Sequence, residues 1–256
     1  MAPYSPAQDT GRRMRLRALK SIYAIYARFA RSLTLACTKG CAACCTCDVT
    51  ATALETDLIR DYMAAVGQDD RLPPQDAAQE PTRFRPQLTT NEMARRCAGG
   101  EDVPPPSKRA GTARCPLLVH ELCSIYPARP FGCRCLVSTR DCRQTGYSQI
   151  DDFTLTVNSV FLQYIEHLDA GRPWGNLIDM LYAQRPGAST CTGAGHPHPK
   201  CGTGLLVSRT VPVLMVPPEH RERIEPILAE LSRALSGECN PSRTARNRPG
   251  LFEELS

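Results

Sequence analysis

No stretch of the chain offers the roughly 20 consecutive apolar residues that a membrane helix needs. Arg28 and Arg31 break the only apolar run near the N-terminus, so no secretory leader with an uninterrupted apolar core is expected either. Aromatic residues are scarce, at 6% with one Trp, and the chain has only five histidines. Nothing like a nucleic-acid module with base-stacking aromatics follows the basic N-terminus, which sets nucleic acid aside as a partner. There is no Ser/His/Asp set, no phosphate-cradling glycine loop after a strand and no carboxylate pair with an evident catalytic role. Among the few acid–base candidates, His120 stands nearest a chemically dense segment, and a lone histidine there is expected to be structural.

Cysteine and proline are what the chain has in quantity, with 14 and 22 of its 256 residues. Residues 37 to 47 read "CTKGCAACCTC", five cysteines in eleven positions with Cys44 and Cys45 adjacent. Without a leader, a cytoplasmic location is expected, where thiols stay reduced and dense cysteines point to metal binding or catalysis rather than disulfides. Neighbouring cysteines are also poor disulfide partners, because the ring they would close falls outside normal bridge geometry.

Charge is unevenly placed. Residues 1 to 40 carry eight Lys or Arg against Asp9 alone, a balance of +7, so the other 216 residues hold −2 of the net +5. At 100° per residue, Leu19, Ile22, Tyr26, Phe29, Ala30 and Leu33 share one helical face, with Arg13, Arg17, Lys20, Arg28 and Arg31 opposite. The apolar face should dock on the rest of the chain. The basic face is read as solvated, or as a surface for an acidic protein. A second helix should start after Cys47, with Thr52 and Glu55 spaced as a capping box and Leu54, Leu58, Ile59, Tyr62 and Val66 as its stripe before Gly67. The last thiols of the cysteine loop would then lie near a helix N-terminus, which favours thiolate.

Residues 68 to 112 are polar and proline-rich and read as a flexible insertion, with a short helix around "TTNEMARRC" and Cys97 as a free thiol. A second cysteine segment follows, "CPLLVHELCSIYPARPFGCRCLVSTRDC", residues 115 to 142, where Pro116, Pro127 and Pro130 limit the apolar pieces to strand or turn length. Cysteines three or four apart in a turn can converge on one centre, whereas adjacent ones should point apart, so Cys44 and Cys45 are expected to serve different sites.

Cys37, Cys41, Cys44 and Cys45, joined to Cys115-Pro116, Cys123, Ile125-Tyr126, Arg129-Pro130 and Cys133-Arg134, resemble the CxxCxxCC cysteine-cluster family of zinc- or iron-chelating domains. The resemblance spans about residues 35 to 142 outside the insertion, with Cys142 as a final member. It implies a metal-binding domain held by Cys37, Cys41, Cys44, Cys45, Cys115, Cys123, Cys133 and Cys142. Eight thiols suggest two four-ligand centres or one multinuclear centre. Lys39, Arg129 and Arg134 are placed to offset thiolate charge and to donate hydrogen bonds to sulfur or the cofactor, against the plainer reading of surface ion pairs. Cys47 and Cys135 are extra thiols that blur the ligand set. A related cluster occurs in flagellin lysine N-methylases, which makes a metal-dependent protein-modifying enzyme the alternative function.

Three thiols from one loop are more characteristic of an iron–sulfur cluster than of structural zinc, so iron–sulfur is preferred and zinc kept. Cys37, Cys41 and Cys44 also have the spacing of radical S-adenosylmethionine enzymes, with Gly99-Gly100-Glu101 like their methionine-binding motif. That superfamily needs a barrel of alternating strands and helices, for which the intervening residues offer no strand.

Beyond the cluster, Asp151 and Asp152 should open a helix over 152 to 169 that buries Phe153, Val157, Val160, Phe161, Tyr164, Ile165 and Leu168. "WGNLIDMLYAQ" reads as a shorter helix, and "LLVSRTVPVLMV" as one or two strands. Residues 219 to 236 read as a final helix burying Ile224, Ile227, Leu228, Leu231 and Leu235. Cys191, His196, His198 and Cys201 are zinc-ligand types in a Gly- and Pro-threaded loop, read as a mobile loop rather than a cage. The resulting expectation is a mainly α fold with a small, short-stranded, cysteine-rich, metal-stabilised core. It divides into a basic helix (1–36), a cysteine domain (37–150), a C-terminal extension (151–236) and a flexible tail (237–256).

Overall fold

A computed structural model describes residues 6–38, 40–68, 83–105, 113–184, 192–193, 196–197 and 204–236. Lys39, Cys191, His198, Cys201, Cys239 and the tail lie outside the described residues, as does the side chain of His196.

The fold is mainly helical. Helix α1 (Pro6–Arg31) places Leu16, Leu19, Ile22, Tyr23, Ile25 and Tyr26 in the core, with Phe29 and Ala30 packed at its edge. The buried face is thus wider than the stripe read from periodicity, taking in Leu16, Tyr23 and Ile25. Its basic face is partly engaged within the chain. Arg12 donates to both Asp61 oxygens (2.7 and 2.8 Å), and Arg28 pairs with Glu230.

A short strand β1 (Thr50–Thr52) leads into α2 (Ala53–Ala65), and the capping box forms as expected: Thr52 Oγ accepts from the Glu55 N–H while the Glu55 carboxyl accepts from the Thr52 N–H. Leu54, Leu58 and Ile59 are buried, but Met63 takes the place expected of Val66, which is exposed beyond the last turn. Helix α3 (Thr90–Gly99) is capped by Thr89 and ends at Gly100, whose φ of 65° is left-handed. Within the stretch read as an insertion, residues 83–105 make buried polar contacts with the rest of the chain. Arg83 and Asp179 form a buried pair at 3.0 Å, and Asn91 is bonded to the carbonyls of Gln163 and Arg209. Polar residues that are buried by pairing leave no periodic trace, which is why composition alone read this segment as loop.

The second cysteine segment comprises a hairpin, β2 (Leu118–Val119) against β3 (Leu122–Cys123), a 3₁₀ turn (Tyr126–Ala128), and the one-turn helices α4 (Phe131–Arg134) and α5 (Cys142–Thr145). Helix α6 (Asp152–Leu168) starts on its Asp151 cap and buries Phe153, Val157, Val160, Phe161 and Ile165, with Tyr164 and Leu168 only partly covered. Strand β4 (Pro173–Asn176) precedes α7 (Leu177–Ala183), so Trp174 lies in a strand rather than opening the helix expected there. Strand β5 (Leu206–Val207) completes an antiparallel sheet in the order β1-β4-β5, with Ala51 opposite Gly175 and Trp174 opposite Leu206. Helix α8 (Arg221–Leu235) buries Ile224 and Leu231 and half-buries Ile227, Leu228 and Leu235.

One cluster of buried residues draws on α1, α2, the second cysteine segment, α6, α7 and α8. The few aromatics meet at its centre: Phe131 stacks on Phe161 at 5.6 Å between centroids, and Tyr26 meets both edge-on at 4.7 and 5.2 Å. Each such ring contact adds about 0.5–1.5 kcal/mol beyond its buried area. Helix α4 reaches this centre only because Gly132 has no side chain. A Cβ there would stand 2.8 Å from Val49 Cγ1 and 3.0 Å from the Thr50 carbonyl oxygen. Gly132→Ala is therefore expected to destabilise by about 1–3 kcal/mol, read as a lower denaturant midpoint at unchanged m-value. Wild-type stability in this variant would mean that β1 and α4 can part without loss.

Candidate metal centre

The two cysteine segments are joined by backbone hydrogen bonds at both ends of the first loop. The Ala36 N–H donates to the Ser138 carbonyl (2.9 Å). At the other end Thr46 bridges Arg114, the Cys47 N–H donates to Ala113 (3.1 Å) and the Cys115 N–H to Cys45 (3.0 Å). Between these anchors, Gly40 turns the loop with a φ of 89°, beside the Leu122 side chain. The hairpin facing it is strained. His120 and Glu121 form its turn with φ of 48° and 65°, a left-handed pair normally taken by Asn and Gly. His120 is exposed at that tip, where nothing marks it as an acid or base.

Buried side chains satisfy the irregular backbone around the thiols. Asn176 donates to the Cys47 carbonyl (2.6 Å), Asn158 to the Cys135 carbonyl (3.2 Å), and the Glu55 carboxyl accepts from the Phe131 N–H (2.7 Å). Cys47 itself is buried and donates from sulfur to the Ala113 carbonyl (3.1 Å), and the Cys135 thiol points to the Gly132 carbonyl (3.6 Å). Both extra thiols thus have structural partners. Cys97 is exposed on α3, as a free thiol should be.

The remaining eight thiols fall into two electrostatic neighbourhoods. Burial raises Cys37, and the charges of Cys142, Cys44 and Cys41 raise it further. Cys45 feels instead Cys133, Cys115 and Cys123, and Cys133, itself raised by burial, feels Cys115 and Cys123. Burial pushes Cys115 up to about 11 and raises Cys123. Cys44 and Cys45 sit in different neighbourhoods, yet they do not point apart as adjacent residues were expected to. The influence of each on the other raises Cys44 and lowers Cys45. That influence, rather than a helix dipole, is what favours thiolate at Cys45. The N-terminal amides of α2 are already taken: Leu54 N–H donates to Asp169 (2.8 Å) and Glu55 N–H to Thr52 (3.2 Å).

Among the described residues, no three Cys, His, Asp or Glu side chains are gathered closely enough to hold a metal ion as they stand. The donor chemistry nevertheless fits a thiophilic metal. The second neighbourhood also feels Cys47 and Cys135 and has Arg129 beside Cys123 and Cys133, while Arg143 is held first by Asp141 (2.8 Å) and only then feels Cys41. Arg129 lies over the Tyr126 ring at 3.7 Å and donates to the Tyr126 carbonyl. Arg134 is no surface ion pair: it is buried, donates to the carbonyls of Arg129 (2.9 Å) and Pro127 (2.7 Å), and sits 4.3 Å from the Tyr23 ring centroid. It staples the turn that carries Cys133. Arg143, directly after Cys142, is held by the Asp141 carboxylate.

Gly99, Gly100 and Glu101 form the end of α3, where Glu101 pairs with Arg95, and the sheet is antiparallel. Neither feature belongs to the barrel that the radical S-adenosylmethionine reading required.

The thiols should differ sharply in reactivity when no metal is bound. At pH 8 the exposed Cys97 and the lowered Cys45 should be carbamidomethylated early, and Cys133 and Cys135 last, because burial raises both, Cys135 to about 12. Each unit of such a rise removes about tenfold of the reactive thiolate. Timed iodoacetamide quenching with peptide mass mapping gives the order, and early labelling of Cys133 would contradict its burial.

Comparison with known protein families, curated proteins and solved structures finds no match to this chain.

Proposed function

We propose that the chain is a thiolate metalloprotein with two four-cysteine centres, one of Cys37, Cys41, Cys44 and Cys142 and the other of Cys45, Cys115, Cys123 and Cys133. What supports this reading is the backbone pairing that holds the two cysteine segments together, with Cys37 influenced by Cys142, Cys44 and Cys41, and Cys45 by Cys133, Cys115 and Cys123. Ligation would need each set to close inward from its present arrangement. Four thiolates around a divalent ion or a cubane cluster leave net negative charge, which Arg143 on one side and Arg129 with Arg134 on the other would offset. Iron–sulfur clusters remain preferred over zinc, because the first centre draws three thiols from one loop. Bound metal would crosslink segments about seventy residues apart and so add to a fold whose cysteine region has little regular ladder. A reducing compartment such as the cytoplasm suits such centres. No helix among the described residues is long and apolar enough to cross a membrane.

The decisive experiment is metal and sulfide analysis of anaerobically purified protein combined with paired variants. Cys44→Ser and Cys142→Ser should lose the same centre, Cys45→Ser and Cys133→Ser the other, each leaving about half the metal. Brown protein with acid-labile sulfide supports iron–sulfur, and colourless protein with zinc supports the chelator without it. Identical losses from Cys44→Ser and Cys45→Ser would sink the two-centre division, and metal-free protein under every preparation would sink the function.

A pH dependence follows from the buried thiols. Cys115, pushed up to about 11, is protonated at neutral pH, as are Cys123 and Cys133, so metal binding must expel their protons. Apparent zinc affinity should therefore rise as pH goes from 6 to 8. Titration calorimetry in buffers of different ionisation heat should report more than one proton released per metal, whereas a pH-independent affinity would show that other ligands are used.

A further inference from the structure

The hairpin of β2 and β3 carries Cys123 and follows Cys115 by three residues, and it is lightly held. Leu117 and Ile125 anchor it in the core at 2% and 1% exposure, but Val119, His120, Glu121 and Leu122 between them are all exposed. Its ladder is two residue pairs long, Leu118 opposite Cys123 and Val119 opposite Leu122. So short a hairpin is marginal in water by itself. The turn weakens it further, because His120 and Glu121 take φ of 48° and 65°, a conformation in which a Cβ crowds the backbone. Few buried contacts, exposed backbone and a strained turn are the marks of a segment that opens before the rest of a fold. Resting on the thiolate reading above, we propose that this hairpin is the gate of the second centre: it opens locally, lets Cys123 regroup with Cys45, Cys115 and Cys133 around an incoming thiophilic divalent cation, and recloses over it.

Some member of the set has to travel, since no three such ligands among the described residues stand close enough to hold an ion as they are. The other three are tied down. Cys133 sits on α4, where the Phe131 N–H is held by the Glu55 carboxyl (2.7 Å) and Arg134 donates to the carbonyls of Arg129 (2.9 Å) and Pro127 (2.7 Å). Cys115 and Cys45 are bonded to each other through the backbone, the Cys115 N–H donating to the Cys45 carbonyl (3.0 Å). Cys123 alone lies on the two-residue ladder. Beyond that ladder the hairpin is closed by Ser124, whose N–H (3.0 Å) and hydroxyl (2.9 Å) both donate to the Leu117 carbonyl. Breaking contact with that one oxygen frees the strand that carries Cys123, while Leu117 and Ile125 stay in the core as the fixed ends of the movement.

The turn can be relaxed without touching a thiol. In the full-length reduced protein, His120→Asn combined with Glu121→Gly supplies residues that take these angles readily, so the hairpin should open less often. Opening precedes both entry and escape of the ion. Zinc uptake and zinc release, followed with a chromophoric chelator, should therefore both slow by at least about fivefold, while the dissociation constant stays within about twofold of wild type. Hydrogen exchange at the Ser124 N–H of the zinc-free protein should slow by the same factor. Ser124→Ala, which gives up the hydroxyl bond to Leu117, should speed all three. Glu121→Gln keeps the backbone strain and removes only the charge that pairs with Arg114, so it should match wild type. Unchanged exchange in the double variant overturns the gate, as does slowed exchange with zinc rates at the wild-type value. Zinc bound with unaltered rates overturns the gate alone, whereas protein that binds no zinc under any preparation overturns the thiolate reading with it.

Discussion

The buried carboxyl of Glu55 is the joint on which the arrangement of the two cysteine segments depends. Locally it closes a capping box with Thr52. The same group also accepts from the Tyr23 hydroxyl of α1 (2.8 Å) and from the Phe131 N–H of α4 (2.7 Å). Burial and Glu55 together raise Tyr23 far above its usual range, which keeps its proton on the donor. Removing the carboxyl would strand three buried donors, at about 1–3 kcal/mol each. Helix α4 would then lose its tie to α1 and α2, and with it the placement of Cys133 and Cys135.

The same logic recurs wherever the chain lacks regular ladders. Strands are two to four residues long, so much of the buried backbone must be satisfied by side chains. Asn176, Asn158, Asp169 and Glu166 do this for Cys47, Cys135, Leu54 and Asn91 respectively. Tyr26 extends one of these chains, its hydroxyl donating to Asn158 Oδ1 at 2.7 Å. These contacts position the backbones of Cys47 and Cys135 from outside the two cysteine segments. Bound metal would complete such a frame from the inside.

Helix periodicity was legible where one apolar face meets the core, as in α1, α2, α6 and α8, and the Thr52–Glu55 box was legible as a local hydrogen-bond pattern. What escaped had non-local causes. Arg83 and Asn91 are polar and yet buried, because their partners Asp179, Gln163 and Arg209 come from later in the chain. Trp174 belongs to a strand because β1 and β5 flank it, and Glu55 is more than a cap because Tyr23 and Phe131 converge on it.

The candidate site divides along the same line. Spacing alone showed that Cys37, Cys41 and Cys44 fall within one short loop, because neighbours within a few residues are constrained by local backbone geometry. Only the tertiary structure decided how the segment of Cys37 to Cys47 pairs with the segment of Cys115 to Cys142. That pairing follows from the Ala36–Ser138 bond and the Thr46–Arg114 bridge, each linking residues tens of positions apart. A register of that kind is set by which backbone groups find partners on burial, and residue spacing does not encode it.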